Sequence, residues 1–306
     1  MSGPGPSPAR TLAGALEPFA GQVYFAQECH DRYERLGFQP SPGAFGGVPG
    51  PDGVAYFTSR GSVMGQVPGE VVASAFAVFN PAAVVPAVAR GWTLTDAPTI
   101  CAARTEGAVA QLERILGPTP DGLARATALL ARAVARLRPE GRPLFAGLLS
   151  LGLPGTPMGD AWRLADCLRE YRGDCHTAAW TSAGFDATEI GLLSELSWGL
   201  PMRSYSRTRA WSEADFDEAE ARLEARGLVA GGAMTDRGRA EREAVEATTD
   251  RACRPVVDAL GDDGVAELVQ LLTPWGSAIR AAGGYPASGP HDLAAVGTRR
   301  PADGSR

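Results

Sequence analysis

The stretch that most constrains this chain runs from Trp211 to Asp250, WSEADFDEAEARLEARGLVAGGAMTDRGRAEREAVEATTD. It reads as a helix, a turn, a short hairpin and a long helix, the core order of a winged-helix module. The hairpin falls at 228–234, where Gly231-Gly232 supplies the residues that a tight two-residue turn demands. In a DNA reader the first of these helices enters the major groove. Here it carries Glu213, Asp215, Asp217, Glu218, Glu220 and Glu224 against Arg222 alone. Affinity for nucleic acid comes mainly from Lys and Arg displacing counterions, so a helix of this charge repels phosphate. The shape is that of a DNA-binding unit; much of the charge is missing.

The rest of the composition agrees with that deficit. Across 306 residues the formal net charge is -6, where a nucleic-acid binder shows a basic domain or stripe. Every basic residue except histidine is arginine; there is no lysine. With abundant Ala, Gly and Pro, this reads as a GC-rich, actinobacterial genome. The five cysteines, at 29, 101, 167, 175 and 253, are odd in number and form no CxxC pair. A reducing cytoplasm fits this better than a disulfide framework does. The opening MSGPGPSPAR has no apolar signal core, and no apolar run approaches a membrane span. The expectation is a cytoplasmic chain with no membrane partner.

Helical periodicity dominates, so the predicted fold class is mainly α. Helices are expected over 11–35, 70–79, 106–116, 121–137, 142–153, 160–180 and 186–196, and the wing offers the best strand signal. The predicted organisation is a disordered N-terminus at 1–10, a helical half at 11–155, a winged-helix half at 156–283 and a disordered tail at 284–306. The halves also echo one another. Cys29-His30, Leu36-Gly37-Phe38 and Ser59-Arg60 return in order as Cys175-His176, Ala183-Gly184-Phe185 and Ser206-Arg207, and Leu116-Gly117 returns as Leu260-Gly261. A unit this long would be a whole module. The hypothesis is an internal pseudo-duplication whose first copy is a degenerate winged helix without its wing.

The segment RGLV at 226–229, Thr235 with Gly238-Arg239, and the helix running on to Asp250 resemble the MarR-type winged helix, with Met234 at a position where leucine is usual. Over roughly residues 10–280 the chain is similar to an actinobacterial family called SalK-like. That likeness rests also on 60–65, 76–81 and LREYRGDCH at 168–176. The resemblance implies a MarR-like fold and no settled activity. It also implies dimerisation through terminal helices, although a duplicated chain would contain its own pseudodimer, so monomer and homodimer both stay open. The wing, Val229 to Ala233, lacks the arginine that a MarR wing places in the minor groove. Arg203, Arg207 and Arg209 precede the acidic helix; neutralising it is the favoured role for them, holding phosphate the other.

The densest polar cluster is Arg169 to His176. On a helix Glu170 and Asp174 share one face, and Arg172 and His176 share another. Apolar neighbours on both sides imply that this helix is buried, and buried charges must be paired or used. One reading makes it a site: His176 as general acid/base, Asp174 or Glu170 orienting it, Arg169 and Arg172 gripping an anionic group. The other makes it an ion-pair network that ties the halves together. His30, Tyr24 and Arg60 are candidate additions to the binding site, and Arg104 could add a further cation. The other first-half aromatics (Phe25, Tyr56, Phe57, Phe76, Phe79 and Trp92) read as core. Adjacent Cys-His pairs on a helix point in different directions, so no metal site is expected at Cys29-His30 or Cys175-His176. No phosphate loop, nucleophile elbow, zinc-protease motif or dinucleotide fingerprint occurs, so no cofactor is expected.

The predicted function is therefore binding of a small, anionic molecule. Cofactor-independent acid/base catalysis (an isomerase, lyase, cyclase or hydrolase) would run on a MarR-like scaffold that has lost its DNA-binding charge. The alternative is a MarR-type ligand-responsive transcriptional regulator, with DNA the disfavoured partner. A third reading makes the acidic winged helix a protein-docking surface.

Overall fold

In the computed structural model, residues 6–45 and 47–287 are described. The chain is mainly α-helical. The first half comprises α1 (Pro8–Gly21), α2 (Gln27–Arg35), a hairpin of β1 (Ala44–Phe45) and β2 (Val48–Pro49), then α3 (Gly53–Gly61), α4 (Gly69–Ala75), α5 (Pro81–Gly91), α6 (Ala97–Leu116), α7 (Leu123–Val134) and α8 (Pro143–Ser150). The second comprises α9 (Pro157–Ser182), α10 (Ala187–Ser197), α11 (Glu213–Ala225), the hairpin β3 (Val229–Ala230) with β4 (Ala233–Met234), α12 (Asp236–Ala252) and α13 (Arg254–Ala281). α10, α11, the hairpin and α12 form the winged helix.

Local signals explain most boundaries. Ser7 accepts a hydrogen bond from the Arg10 amide and Pro8 sits in the first turn, so α1 begins inside the stretch expected to be disordered. Reciprocal capping boxes open α10 (Asp186 with Glu189) and α11 (Ser212 with Asp215). The wing turns on Gly231 and Gly232 with φ of 56° and 78°, as a type I′ turn requires. The helix expected over 11–35 breaks at 22–26, where the Gln22 side chain turns inward to donate to the Ala108 carbonyl. Two helices were not foreseen, α3 and α5. Asn80 caps α5 and Pro81 opens it, so the Asn80-Pro81 pair that looked like a stop is also a start. Tyr285, placed by composition in the tail, is buried with its ring 5.4 Å from that of Phe25; the rest of that expected tail lies outside the described residues.

Packing divides the molecule differently from the boundary drawn at 155/156. That boundary falls in the loop before α9, but α9 is buried among α1, α6, α7, α8 and α12. One large core runs from Ala9 to Tyr285 and joins both halves. A smaller one (Phe185, Leu192, Leu193, Phe216 and Leu223 among others) belongs to the winged helix, with Ala179 and Trp180 at the end of α9 joining it. The contacts between the halves are reciprocal: α1 lies along α13, and α9 lies along α7. Two of the sequence correspondences share backbone geometry. Gly117 and Gly261 have φ/ψ of 81°/164° and 68°/167°, and Gly37 and Gly184 both have positive φ. The β1–β2 hairpin precedes α3, so it does not occupy the place of a wing in the first half.

Candidate functional site

α9 carries two polar stripes. Asp166, Glu170 and Asp174, four residues apart, look into the first half; Arg169, Arg172 and His176 look toward α1 and α12. Each member of the acidic stripe has a partner, although among the described residues Asp166 Oδ1 is buried without one of its own. Asp166 meets buried Arg104 at 2.8 Å. Glu170, 2% exposed, takes both ends of the Arg60 guanidinium at 3.1 and 2.8 Å, Arg169 Nη1 at 2.9 Å and the Tyr24 hydroxyl at 3.1 Å. Burial pushes its carboxyl up, but Arg60 and Arg169 outweigh that and hold it at about 2.

Asp174 corrects the expected assignment. It does not orient His176. Its Oδ2 accepts the Phe145 amide at 3.0 Å, capping α8, whose own N-cap position, Arg142, offers no side-chain acceptor. Burial raises this carboxyl to about 7 against the Phe145 hydrogen bond. Glu170 is likewise unsuited to orient a base, being spent on two guanidiniums. His30 is also placed elsewhere: it is buried with Nε2 3.1 Å from the Tyr24 carbonyl, and burial lowers its pKa. The first-half aromatics pack on one another, Phe57 and Phe79 at 5.0 Å for example.

The basic stripe borders a cavity of about 420 Å³ between the helical body and the winged helix. Its body walls are α1 and α9; its other walls are α10, α12 and the segment 198–211 that leads into α11. Arg169, Arg172, His176, Glu170 and Arg60 line it; Asp174, His30 and Tyr24 do not. Tyr24 contributes indirectly, through Glu170. Opposite the α9 stripe stands a matching acidic stripe on α12. Glu246 receives Arg242 at 2.7 Å and Arg172 at 2.9 Å, with His176 at 3.7 Å. Asp250 receives Arg10 at 3.0 Å and Arg172 at 3.4 Å. These guanidiniums keep Glu246 well below the usual carboxylate range despite its burial.

Of the expected catalytic set, His176 and Glu170 face the cavity, and only His176 is not committed to guanidiniums as a strong ion pair. Desolvation lowers it to about 4, with Arg242 and Arg172 acting the same way against Glu246. The Thr249 hydroxyl donates to the Val245 carbonyl at 2.9 Å, so it accepts from His176 Nδ1, 3.1 Å away. That fixes the tautomer: Nδ1 carries the proton, and Nε2 keeps its lone pair. The ring is thus a neutral acceptor without a hydrogen-bonded carboxylate behind it.

Arg209 is the residue that sequence reasoning misplaced. Its guanidinium lies 4.5 Å from the Phe79 ring and 4.4 Å from the Tyr205 ring, and it donates to the Tyr205 hydroxyl. It lines the cavity and, among the described residues, has no carboxylate partner. Several contacts aim it. Ala210 adopts a left-handed φ of 62°; Asn80 donates to the Arg209 and Ala210 carbonyls at 2.9 and 3.1 Å; buried Glu195 accepts the amides of Arg203, Tyr205 and Ser206. Arg203 instead bridges Glu213, Asp217 and Glu220 at 2.7–2.8 Å, and Arg222 meets Asp186 and Glu189. The basic residues nearest the recognition helix are thus largely neutralised by acids of the same unit.

A family model described as a helix-turn-helix family matches residues 9–286, and the chain belongs to that family. Neither the curated proteins nor the solved structures gave a match. Among the described residues no helix is long and apolar enough to cross a membrane, and no group of three or more His, Cys, Asp and Glu side chains is placed to hold a metal ion.

Proposed function

We propose that this helix-turn-helix protein binds a small amphipathic anion in the cavity between its helical body and its winged helix. One observation carries the reading: among the described residues, five of the six cavity arginines are matched by carboxylates, and Arg209 is left with aromatic partners alone. An anionic group seated on Arg209 would complete the pairing. Apolar Leu12, Ile190, Trp198 and Trp211 would cover the body of the ligand, and His176 Nε2 would accept a hydrogen bond from it. The volume suits a molecule of ordinary metabolite or drug size. The expected catalytic reading loses support, because His176 lacks its orienting carboxylate and Glu170 is committed to Arg60 and Arg169.

The regulator reading is favoured by family membership and by walls drawn from both the body and the winged helix, since a ligand there would bias how the two sit together. Direct attraction to DNA is not favoured, because Arg203 and Arg222 are engaged by neighbouring acids. The test is titration with 8-anilinonaphthalene-1-sulfonate, an aromatic anion whose fluorescence rises in apolar sites. Wild type should bind it. Arg209→Met, which keeps the stem and removes the charge, should weaken binding by about tenfold or more, the worth of a hydrogen bond to a charged group. Equal affinity in both proteins would remove Arg209 as the anchor, and no binding to wild type would remove the cavity reading.

A further inference from the structure

The α9 wall of the cavity contains a glycine that the fold itself does not require. Gly173 lies within the cavity-facing stripe, one turn after Arg169 and one turn before His176. From Met158 to Thr177 it is the one exposed residue of this helix. Glycine inside a helix is unfavourable relative to alanine, because its unfolded backbone has more freedom to lose. A left-handed backbone or a crowded neighbour usually explains it, and neither is found here. Gly173 has helical backbone without a positive φ. Outside the helix backbone, the nearest atom to a methyl added there is Glu170 Oε2 at 3.6 Å, an ordinary contact. Other interior glycines differ. At Gly107, Gly147, Gly191 and Gly264 a methyl would come within 2.4–2.9 Å of a neighbouring segment. The missing side chain of Gly173 instead leaves space that belongs to the cavity.

We propose that Gly173 sets the reach of this cavity and selects an anion with more than one ring, whose flat body rests on the α9 backbone. This deepens the ligand reading given above and rests on it. Arg209, which takes the anionic group, belongs to the 198–211 wall, whereas Gly173 belongs to the wall formed by the helical body. A cavity of about 150 Å³ already holds benzene, so about 420 Å³ has room for a larger ring system. Trp198, Tyr205 and Trp211 supply aromatic surface on the Arg209 side, the first two with ring centroids 5.6 Å apart. Ala9 and Ala13 of α1 and Ala187 of α10 add short side chains to the adjoining walls. A ring can lie against backbone at Gly173, and any side chain there would occupy the space between Arg169 and His176. A single-ring anion on Arg209 leaves that space unused, so position 173 discriminates by ligand length and not by charge.

The test is isothermal titration calorimetry of the full-length protein with two sulfonates, the multi-ring 8-anilinonaphthalene-1-sulfonate and the single-ring benzenesulfonate. Gly173→Ala should weaken the larger probe about threefold and Gly173→Leu about tenfold or more, with benzenesulfonate unchanged in both. Gly173→Ala should also melt about 2 °C higher than wild type, since a helix glycine has been removed at no steric cost. If Gly173→Leu does not fold, weaker binding together with higher melting in Gly173→Ala decides the matter. Wild-type affinity for the larger probe in the Gly173 variants, equal loss of both probes, or a lower melting temperature in Gly173→Ala overturns the inference. When wild type still binds the larger probe through Arg209, those outcomes leave the ligand reading standing. Wild type that binds neither sulfonate removes both.

Discussion

Asp174→Asn should stabilise the protein at alkaline pH and not at acid pH. The carboxyl rises from 3.8 to about 7 in the fold, with burial the dominant cause. That rise corresponds to ~4 kcal/mol between the two protonation states. The folded protein holds the proton more tightly than the unfolded chain. The stability that this proton confers is therefore complete below 3.8 and is lost as pH rises to about 7. Asparagine is neutral at every pH, and its carbonyl oxygen can still accept the Phe145 amide. Against the relief stand the new amide hydrogens, which need partners, and the loss of a negative charge near the α8 N-terminus, together about 1–2 kcal/mol. The net gain at about pH 8.5 should be roughly 1–3 kcal/mol. Near pH 4.5, where most of the wild-type carboxyl is protonated, the variant should be equal or slightly weaker. Urea unfolding followed by circular dichroism at both pH values decides the matter. Equal destabilisation at the two would mean that Asp174 is charged in the fold and that its role is not that of a neutral cap.

Three further outcomes follow from the same geometry. Glu170→Gln strands Arg60, while Arg169 keeps Glu17, and should cost about 3–5 kcal/mol in urea unfolding; because its folded value of about 2 lies below the ordinary 4.5, wild type keeps this contribution above 4.5 and loses it as pH falls toward 2, whereas the variant's stability should be flatter there. Gly107→Ala places a methyl 2.6–2.8 Å from Cys29 Sγ, Cα and N, so α2 and α6 must separate, and thermal melting should show a loss of about 1–3 kcal/mol. Random duplex DNA at low salt should show no salt-sensitive rise in fluorescence anisotropy; a steep salt dependence would mean that exposed arginines such as Arg207 outweigh the acidic helix.

What the sequence disclosed was local. Cap, turn and wing residues within a few positions of one another defined α10 to α12, and spacing of three and four placed Glu170 with Asp174 and Arg172 with His176. The complementary stripe on α12, Glu246 and Asp250, obeys the same spacing and could have been paired with the α9 arginines. Asp174 was harder to place, because its partner is an amide on α8 exposed by tertiary packing. Arg209 was harder still. Its direction depends on a left-handed alanine, on a carboxylate at Glu195 and on Asn80, 130 residues from that alanine. None of these leaves a periodic trace. Proline misled as well: Pro81 starts a helix after its cap, and Pro86 lies inside it.

The separation of the two hydrophobic cores by a charged cavity bears on how the molecule comes apart. Apolar contact is what makes distant segments melt together, and across this cleft much of it is replaced by ion pairs and open space. The amides of α10, α11 and the wing should therefore exchange with deuterium through an opening that leaves α9 closed as far as Cys175. A molecule lodged in the cleft would supply the missing contact and couple the two exchange rates. Protection spreading into the winged helix would then report occupancy even before the occupant is identified.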